Sequence, residues 1–183
     1  METIVKSETK EVIISIDKPF VVIGEKINPT GRKRLAAALK EGNFDYVREL
    51  ARKQVDAGAD ILDVNVGVPG VDEEELLPIV AKIVSETVDV PLCLDSANRD
   101  ALAAALKVLP GRPLINSVNG EEASLEAVLP VIKEYGVPVI GLVMHDDGIP
   151  KDAATRTAVA GKIIARAEKL GIPIEAVSYT HLR

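Results

Sequence analysis

The stretch Val90-Pro91-Leu92-Cys93-Leu94-Asp95-Ser96-Ala97-Asn98 is a short apolar run that ends in carboxylate, hydroxyl and amide groups. Its leading proline and its Leu-Cys-Leu run are typical of a strand buried on both faces of a parallel sheet. Because side chains alternate along a strand, Asp95 points to the same side as Cys93. If that side is the inside of a parallel barrel, Asp95 lies at the carboxyl-end mouth, where barrel enzymes place their chemistry.

The composition limits the class of protein. With 183 residues, 47% of them hydrophobic and only 3% aromatic, the chain can form about one domain with an aliphatic core. A net charge of −6 argues against nucleic acid as a partner. The single cysteine excludes an internal disulfide framework, and no apolar run approaches the roughly 20 residues of a membrane span. The N-terminus lacks the apolar region of a signal peptide, so we expect a cytoplasmic protein.

A sequence pattern recurs five times in the last two thirds of the chain. A turn residue ends a helical stretch and a short apolar run follows, which is typical of a helix C-cap leading into a parallel strand. The five copies of the pattern begin at Gly58, Asp89, Gly111, Gly136 and Gly171. Strand–helix units repeated in this way predict crossover connections and a parallel sheet. Two prolines inside the helical patterns, Pro78 and Pro130, are expected to end or kink their helices.

The sheet is predicted to be a barrel rather than an open doubly wound sheet. Polar residues follow every complete strand, and the first strand–helix turn lacks the spaced glycines of a dinucleotide site. The predicted fold is α/β, a TIM-type (β/α)8 barrel truncated at its C-terminus after about five and a half βα units. We expect an N-terminal extension or barrel-floor strand at 1–19, a partial barrel at 20–177 and a non-native tail at 178–183. Within these, Glu11–Asp17 would be the floor strand and Phe20–Gly24 the first barrel strand.

Polar side chains at the strand ends would form one surface. Asp63, Asp95 and Asn116 each lie two residues after an apolar residue of the same strand, so each is expected inside the rim. Other polar residues at these positions are expected to cap helices or to form turns. These are Asn98, Asn119, Asp146 and Asp147.

The residue types at the rim limit its chemistry. There is no set of serine, histidine and acid, and no cluster with metal-ligand spacing, so no metal is expected. His145 is predicted to be a loop residue and Cys93 a packing residue. Carboxylates and amides without a nucleophile suit hydrogen-bond recognition of a flat, nitrogen-rich heterocycle. An aspartate accepts two parallel N–H bonds from an aminopyrimidine edge, and an asparagine donates and accepts at neighbouring ring atoms.

Four strand-end motifs resemble those of a known superfamily. They are GEKINPTG at 24–31, LDVNVG at 62–67, LCLDS at 92–96 and INSVN at 115–119. They resemble the motifs of the pterin-binding superfamily. Within it they are most similar to methyltetrahydrofolate:corrinoid methyltransferases, which include the folate domain of cobalamin-dependent methionine synthase. The likeness covers about residues 20–174, and ordered motifs at consistent spacing are more specific than any single one.

The resemblance implies a protein that binds methyltetrahydrofolate and transfers its methyl group to the cobalt of a reduced corrinoid, or the reverse. The corrinoid (cobalamin) would be carried by a partner protein or domain that docks over the barrel mouth, and a homodimer stays an open alternative. Asp95 and Asn116 would hold the pterin edge, with Asp63 and Asn65 shaping the floor of the pocket. The remaining expected substrate-binding residues are Ser96, Ser117, Glu25, Asn28 and Met144.

Two alternative functions stay open. The first is a dihydropteroate synthase-like condensation of a pterin pyrophosphate with p-aminobenzoate. That family carries a Ser-Thr-Arg-Pro-type loop after strand two, where this chain has Val66-Gly67-Val68-Pro69-Gly70-Val71-Asp72. The second is a catalytically inactive pterin-binding fragment or scaffold.

The end of the sequence departs from the family. A barrel needs eight units and roughly 250 residues, and the family's sixth strand ends in an Asp-Pro pair that the segment Ile174 to Arg183 lacks. The family's catalytic asparagine is expected beyond the last residue here. We therefore expect unpaired strand edges, which favour aggregation or dependence on another chain.

Overall fold

The computed structural model describes residues 2–146 and 148–180. The strands are β1 Thr3–Lys6, β2 Glu11–Ile14, β3 Ile23–Ile27, β4 Ile61–Val64, β5 Leu92–Asp95, β6 Leu114–Asn119, β7 Val139–Leu142 and β8 Val177–Thr180. The helices are α1 Lys33–Glu41, α2 Asp45–Asp56, α3 Glu73–Thr87, α4 Arg99–Val108, α5 Glu122–Tyr135 and α6 Ala153–Lys169, with a 3-10 turn at Ile174–Ala176. None of these helices combines the length and apolar composition needed to cross a bilayer.

Strands β3 to β8 form one parallel sheet in sequence order, and helices connect each strand to the next. This confirms the predicted α/β class and parallel sheet. The sheet is not closed: within the described residues β3 pairs only with β4, and β8 only with β7. All carboxyl ends of the strands therefore lie at one edge of an open, barrel-like sheet.

Two apolar layers cover the two faces of the sheet. On the outer face, helices α2 to α6 pack buried aliphatic side chains against the strands, as Leu77 and Val80 of α3 do. On the inner face a smaller cluster is formed by Val5, Ile61, Cys93, Leu114 and Ile140. Because β4 to β7 are covered on both sides, they are continuous hydrophobic runs rather than alternating ones.

The N-terminal segment differs from the prediction of a single floor strand. Residues 3–14 form an antiparallel hairpin of β1 and β2, and Val5 of β1 fills the inner cluster. The backbone of Lys6 exchanges two hydrogen bonds of 2.9 Å with Arg112, which fastens the hairpin beneath β6. The sequence prediction missed β1 because four residues are too few to show a clear period, and it placed the end of β2 at Asp17, three residues too late.

The first parallel strand also begins later than predicted. Phe20 is 98% exposed, and β3 starts at Ile23, where its register pairs Ile23 with Ile61. The segment Glu25–Ile27, predicted as loop, belongs to the strand because Ile27 pairs with Val64 and its carbonyl accepts the backbone N–H of Asn65 at 2.9 Å. At the other end, the predicted boundary at Ser178 falls inside β8, and residues 181–183 of the predicted tail lie outside the described residues.

The two internal prolines do not end their helices. Helix α3 continues through Pro78 and α5 through Pro130. Each proline removes one helical hydrogen bond, yet buried neighbours such as Leu77 and Leu129 anchor both sides of it to the core. Tertiary packing therefore outweighs the local preference.

Candidate functional site

Three polar side chains meet at the carboxyl ends of β4, β5 and β6. Asp63 on β4 is only 2% exposed, although it is a carboxylate. In the β5–β6 register Asp95 lies opposite Asn116, and in the β4–β5 register Asp63 lies opposite Cys93. The structure thus brings together the three residues that alternation along the strands placed inside the rim.

Two amide–carboxylate pairs connect the three strands. The Nδ2 of Asn116 donates to Asp63 Oδ1 at 3.1 Å. The Nδ2 of Asn65, which follows β4, donates to Asp95 Oδ2 at 2.9 Å. Each aspartate therefore has one oxygen satisfied by an amide, which lowers the free energy of keeping a carboxylate in a buried position.

Beneath the pairs lies the inner apolar cluster. Cys93 is fully buried there, and burial followed by the charge of Asp63 raises the pKa of its thiol well above the ordinary value. A neutral thiol in this position fills space and does not act as a nucleophile.

The surroundings of the rim raise the pKa of both of its aspartates. Burial, and then the charge of Asp95, raises the pKa of Asp63 from 3.8 to about 6, against the opposing hydrogen bond from Asn116. Burial likewise raises the pKa of Asp95; the hydrogen bond from Asn65 opposes the rise, and the charges of Glu25 and Glu73 add to it. Up to about pH 6 Asp63 can hold a proton, and the amides of Asn65 and Asn116 donate hydrogen bonds at any pH, so the rim offers donors and acceptors to a heterocycle.

A cleft of about 460 Å³ opens beside these residues. This volume lies within the usual range of small-molecule sites, roughly 300–1,000 Å³. The residues that line it include Asp95, Ser96, Asn116, Ser117, Glu121 and Met144. Of the predicted substrate-binding residues, Ser96, Asn116, Ser117 and Met144 therefore line the same cleft as Asp95.

Three predicted residues have further contacts of their own. Glu25 is exposed on β3, and its charge acts on both Asp63 and Asp95. Asn28 accepts the backbone N–H of Thr30 at 3.0 Å and so stabilises its own loop. Ser96 is buried, donates to Glu73 Oε2 at 2.6 Å and accepts the backbone N–H of Asn98 at 3.0 Å.

The residues predicted to cap helices or to form turns do so where the structure describes them. Asn98 Oδ1 accepts the N–H groups of Asp100 and Ala101 and caps α4. Asn119 Oδ1 accepts the N–H of Glu121, and Asp146 lies in a turn. Asp147 lies outside the described residues.

Sequence reasoning missed Glu73 and Glu121. Glu73 is the first residue of α3 and contacts Ser96, while Glu121 precedes α5 and lines the cleft. The available signal was their position at helix N-termini, because helices that follow parallel strands begin at the carboxyl-end edge of the sheet. Within the described part of the chain, no three His, Cys, Asp or Glu residues form a group that could hold a metal ion.

Solved structures with a similar fold include dihydropteroate synthases. The enzyme from Yersinia pestis, solved with a pterine-sulfa conjugate, is 21% identical with a TM-score of 0.66, over 92% of this chain and 60% of that one. The enzyme from Xanthomonas albilineans is 22% identical with a TM-score of 0.68, over 98% of this chain and 64% of that one. The Vibrio fischeri enzyme is 22% identical with a TM-score of 0.64, over 97% and 65%. The chain thus spans less than two thirds of the length of these proteins, and at such identity the likeness concerns the fold.

A comparison with family models gives a more specific result. Residues 24–172 match the model described as pterin binding enzyme. The match contains β3 to β7 and every rim residue from Glu25 to Met144. The chain therefore belongs to the pterin-binding enzyme family.

Proposed function

We propose that the rim formed by Asp63, Asp95 and Asn116 binds the pterin ring of a folate. The observation that carries this proposal is the contact between Asn65 and Asp95, which leaves Asp95 Oδ1 for a ligand at the cleft, beside the Asn116 amide that is bonded to Asp63. A carboxylate accepts two parallel N–H bonds from the aminopyrimidine edge, and the asparagine amide donates and accepts at neighbouring atoms. The adjoining cleft has room for such a ring.

The proposed reaction is methyl transfer between methyltetrahydrofolate and a corrinoid carried by a partner protein, in either direction. The carbon–nitrogen bond breaks, the methyl group passes to cobalt(I), and the ring nitrogen keeps the electron pair and gains a proton. A tertiary amine is a poor leaving group, so a rim in which Asp63 can hold a proton up to about pH 6 assists the departure. The support for this choice is the resemblance of the four strand-end motifs.

A second candidate is condensation of a pterin pyrophosphate with p-aminobenzoate, the reaction of dihydropteroate synthases. The solved structures with a similar fold favour this candidate over methyl transfer. Against it stands the charge of the rim, because Glu25, Glu73 and Asp95 lie close enough to influence one another and would repel a pyrophosphate.

Calorimetric titration with methyltetrahydrofolate tests pterin binding. We expect the wild-type chain to bind and the Asp95→Ala variant to lose binding, because the aminopyrimidine edge then lacks its acceptor. Asp100→Ala, which removes an exposed aspartate of α4, is the matched control and should bind as the wild type does. Unchanged affinity of Asp95→Ala would remove Asp95 from the site.

Two assays separate the reactions. Methyl transfer to reduced cobalamin would support the first candidate, and formation of dihydropteroate from pterin pyrophosphate and p-aminobenzoate would support the second. A protein that binds methyltetrahydrofolate and performs neither reaction would be a pterin-binding scaffold, contrary to both.

A further inference from the structure

The amide of Asn65 is held at both ends. Its Oδ1 accepts the backbone N–H of Gly67 at 2.8 Å, and its Nδ2 donates to Asp95 Oδ2 at 2.9 Å. Its own backbone N–H donates to the carbonyl of Ile27 at 2.9 Å, which ties the residue to β3. Since the Gly67 N–H can only donate, it fixes which end of the amide is the acceptor, and the NH2 group must point at Asp95.

Gly67 permits this geometry. A Cβ atom at position 67 would lie 3.2 Å from Asn65 Oδ1 and 3.5 Å from Glu73 Oε1. The first distance is tighter than ordinary van der Waals contact. A side chain at 67 would therefore push the Asn65 amide away without removing any polar group.

The contact leaves Asp95 half satisfied. Its Oδ1 receives no hydrogen bond from any described residue, and the residue lines the cleft. The ionisable groups around it are Glu25 on β3, Asp63 on β4, Glu73 on α3 and Glu121 before α5, and all are acidic. The hydrogen bond from the Asn65 NH2, in contrast to these acidic groups, favours the ionised form of Asp95.

We propose that Asn65 is a positioning residue, which binds one oxygen of Asp95 and so holds the other toward the cleft as an ionised acceptor for the pterin. This inference rests on the proposed pterin binding. It assigns to Asn65 an action through Asp95 rather than a contact with the ligand. It also gives a reason for the exposed glycine at position 67, where a side chain would displace the Asn65 amide.

The test is calorimetric titration of the full chain with methyltetrahydrofolate across a range of pH. Asn65→Asp keeps the size of the side chain and the acceptor for Gly67 but replaces the donor with a carboxylate. Loss of a hydrogen bond to a charged group should weaken binding by roughly tenfold or more. The added negative charge raises the pKa of Asp95, so the pH at which binding is half lost on acidification should move upward.

Two further variants complete the test. Asn98→Asp makes the same chemical change three residues from Asp95, where aspartate caps a helix as well as asparagine, and should leave both affinity and midpoint unchanged. Gly67→Ala should weaken binding less than Asn65→Asp while moving the midpoint in the same direction. If the Asn65→Asp protein does not fold, as judged by thermal unfolding, Gly67→Ala becomes the decisive variant.

The outcomes distinguish the two levels of the proposal. If the wild type does not bind methyltetrahydrofolate, the proposed function fails. If the wild type binds and Asp95→Ala does not, but Asn65→Asp keeps the wild-type midpoint, Asn65 has only a structural role and the inference is overturned.

Discussion

Asp63 links the site to the stability of the fold. Its carboxylate is buried on the inner side of β4, and Asn116 is its hydrogen-bond partner. Its pKa of about 6 means that the folded protein binds a proton more tightly than the unfolded chain does. Folding stability therefore falls as the pH rises from 3.8 toward 6, and the loss is complete above that range.

The Asp63→Asn variant tests this linkage. Asparagine keeps the size and an acceptor but cannot ionise, so the variant should be more stable than the wild type above pH 6 by up to about 3 kcal/mol. At pH 4 most of the gain should be gone, and well below the unfolded pKa of 3.8 it should vanish, because Asp63 is then protonated in both states. Chemical denaturation at pH 4 and pH 7.5 measures the difference. Asp17→Asn, at an exposed position, should change stability little at either pH, and a gain at Asp63 that is as large at pH 4 as at pH 7.5 would contradict the explanation.

At the residue scale, the period of two along a strand was sufficient to predict that Asp63, Asp95 and Asn116 face one space. The contact between Asn65 and Asp95 was not predictable in the same way. It depends on the lateral register of β4 and β5 and on the turn at Gly67, which fixes the amide. The role of Glu73 was missed because a glutamate in the first turn of a helix is common for reasons unrelated to function.

Among the elements, the hairpin of β1 and β2 depends on one glycine. Gly111 has a φ of +81°, and a Cβ atom there would lie 2.4 Å from the carbonyl oxygens of both Lys6 and Ser7. The close approach allows the paired hydrogen bonds between Lys6 and Arg112. Val5, and with it the lower end of the inner cluster, is held in place by this contact.

Gly111→Ala should therefore destabilise the fold more than its backbone strain alone requires. Gly70→Ala is the matched control, since Gly70 has a φ of +82° with no atom within 4 Å of a Cβ. Strain common to both should cost about 1–2 kcal/mol, and the clash at Gly111 about 1–3 kcal/mol more. Chemical denaturation of the two variants measures the excess. Equal losses would show that the hairpin does not depend on this approach.

The repeated pattern was sufficient to predict β4 to β8, because a turn residue followed by a buried apolar run has few alternatives. Boundaries were less predictable where tertiary contacts decide them. The start and the end of β3 follow from its register with β4, which pairs Ile23 with Ile61 and Ile27 with Val64 and leaves no local signal. The continuation of α3 through Pro78 likewise follows from packing on both sides of the proline.

For the molecule as a whole, the open sheet leaves an apolar patch beside its edge strands. Ile16 is 96% exposed and Phe20 98% exposed, and both line a groove of about 600 Å³ that includes Ser178 of β8. Unpaired strand edges next to exposed apolar side chains favour association between chains.

The double variant Ile16→Ser, Phe20→Ser should reduce self-association of the chain. Removing two exposed apolar side chains weakens hydrophobic association while leaving the buried core intact. Sedimentation velocity over a range of concentrations measures the change. Ile79→Ser, which alters an exposed isoleucine on α3, is the control and should associate as the wild type does. Equal association of the wild type and the double variant would show that the patch is not involved.

At the scale of the whole molecule the family is established, and the reaction is a proposal. Membership of the pterin-binding enzyme family follows from the match over residues 24–172. The reaction was predicted from strand-end motifs, while the solved structures with a similar fold, 21% and 22% identical, show the fold alone. Physically, one parallel sheet presents the same ring-binding edge to either chemistry, so the fold does not select between them.

The most direct test of the central claim is a crystal structure of the chain with tetrahydrofolate bound. The account predicts that the aminopyrimidine edge of the ring lies within hydrogen-bond distance of Asp95 Oδ1 and the Asn116 amide, with the Asn65–Asp95 contact intact. A ring bound elsewhere, for example in the groove between Ser7 and Pro110 at the opposite end of the sheet, would contradict it.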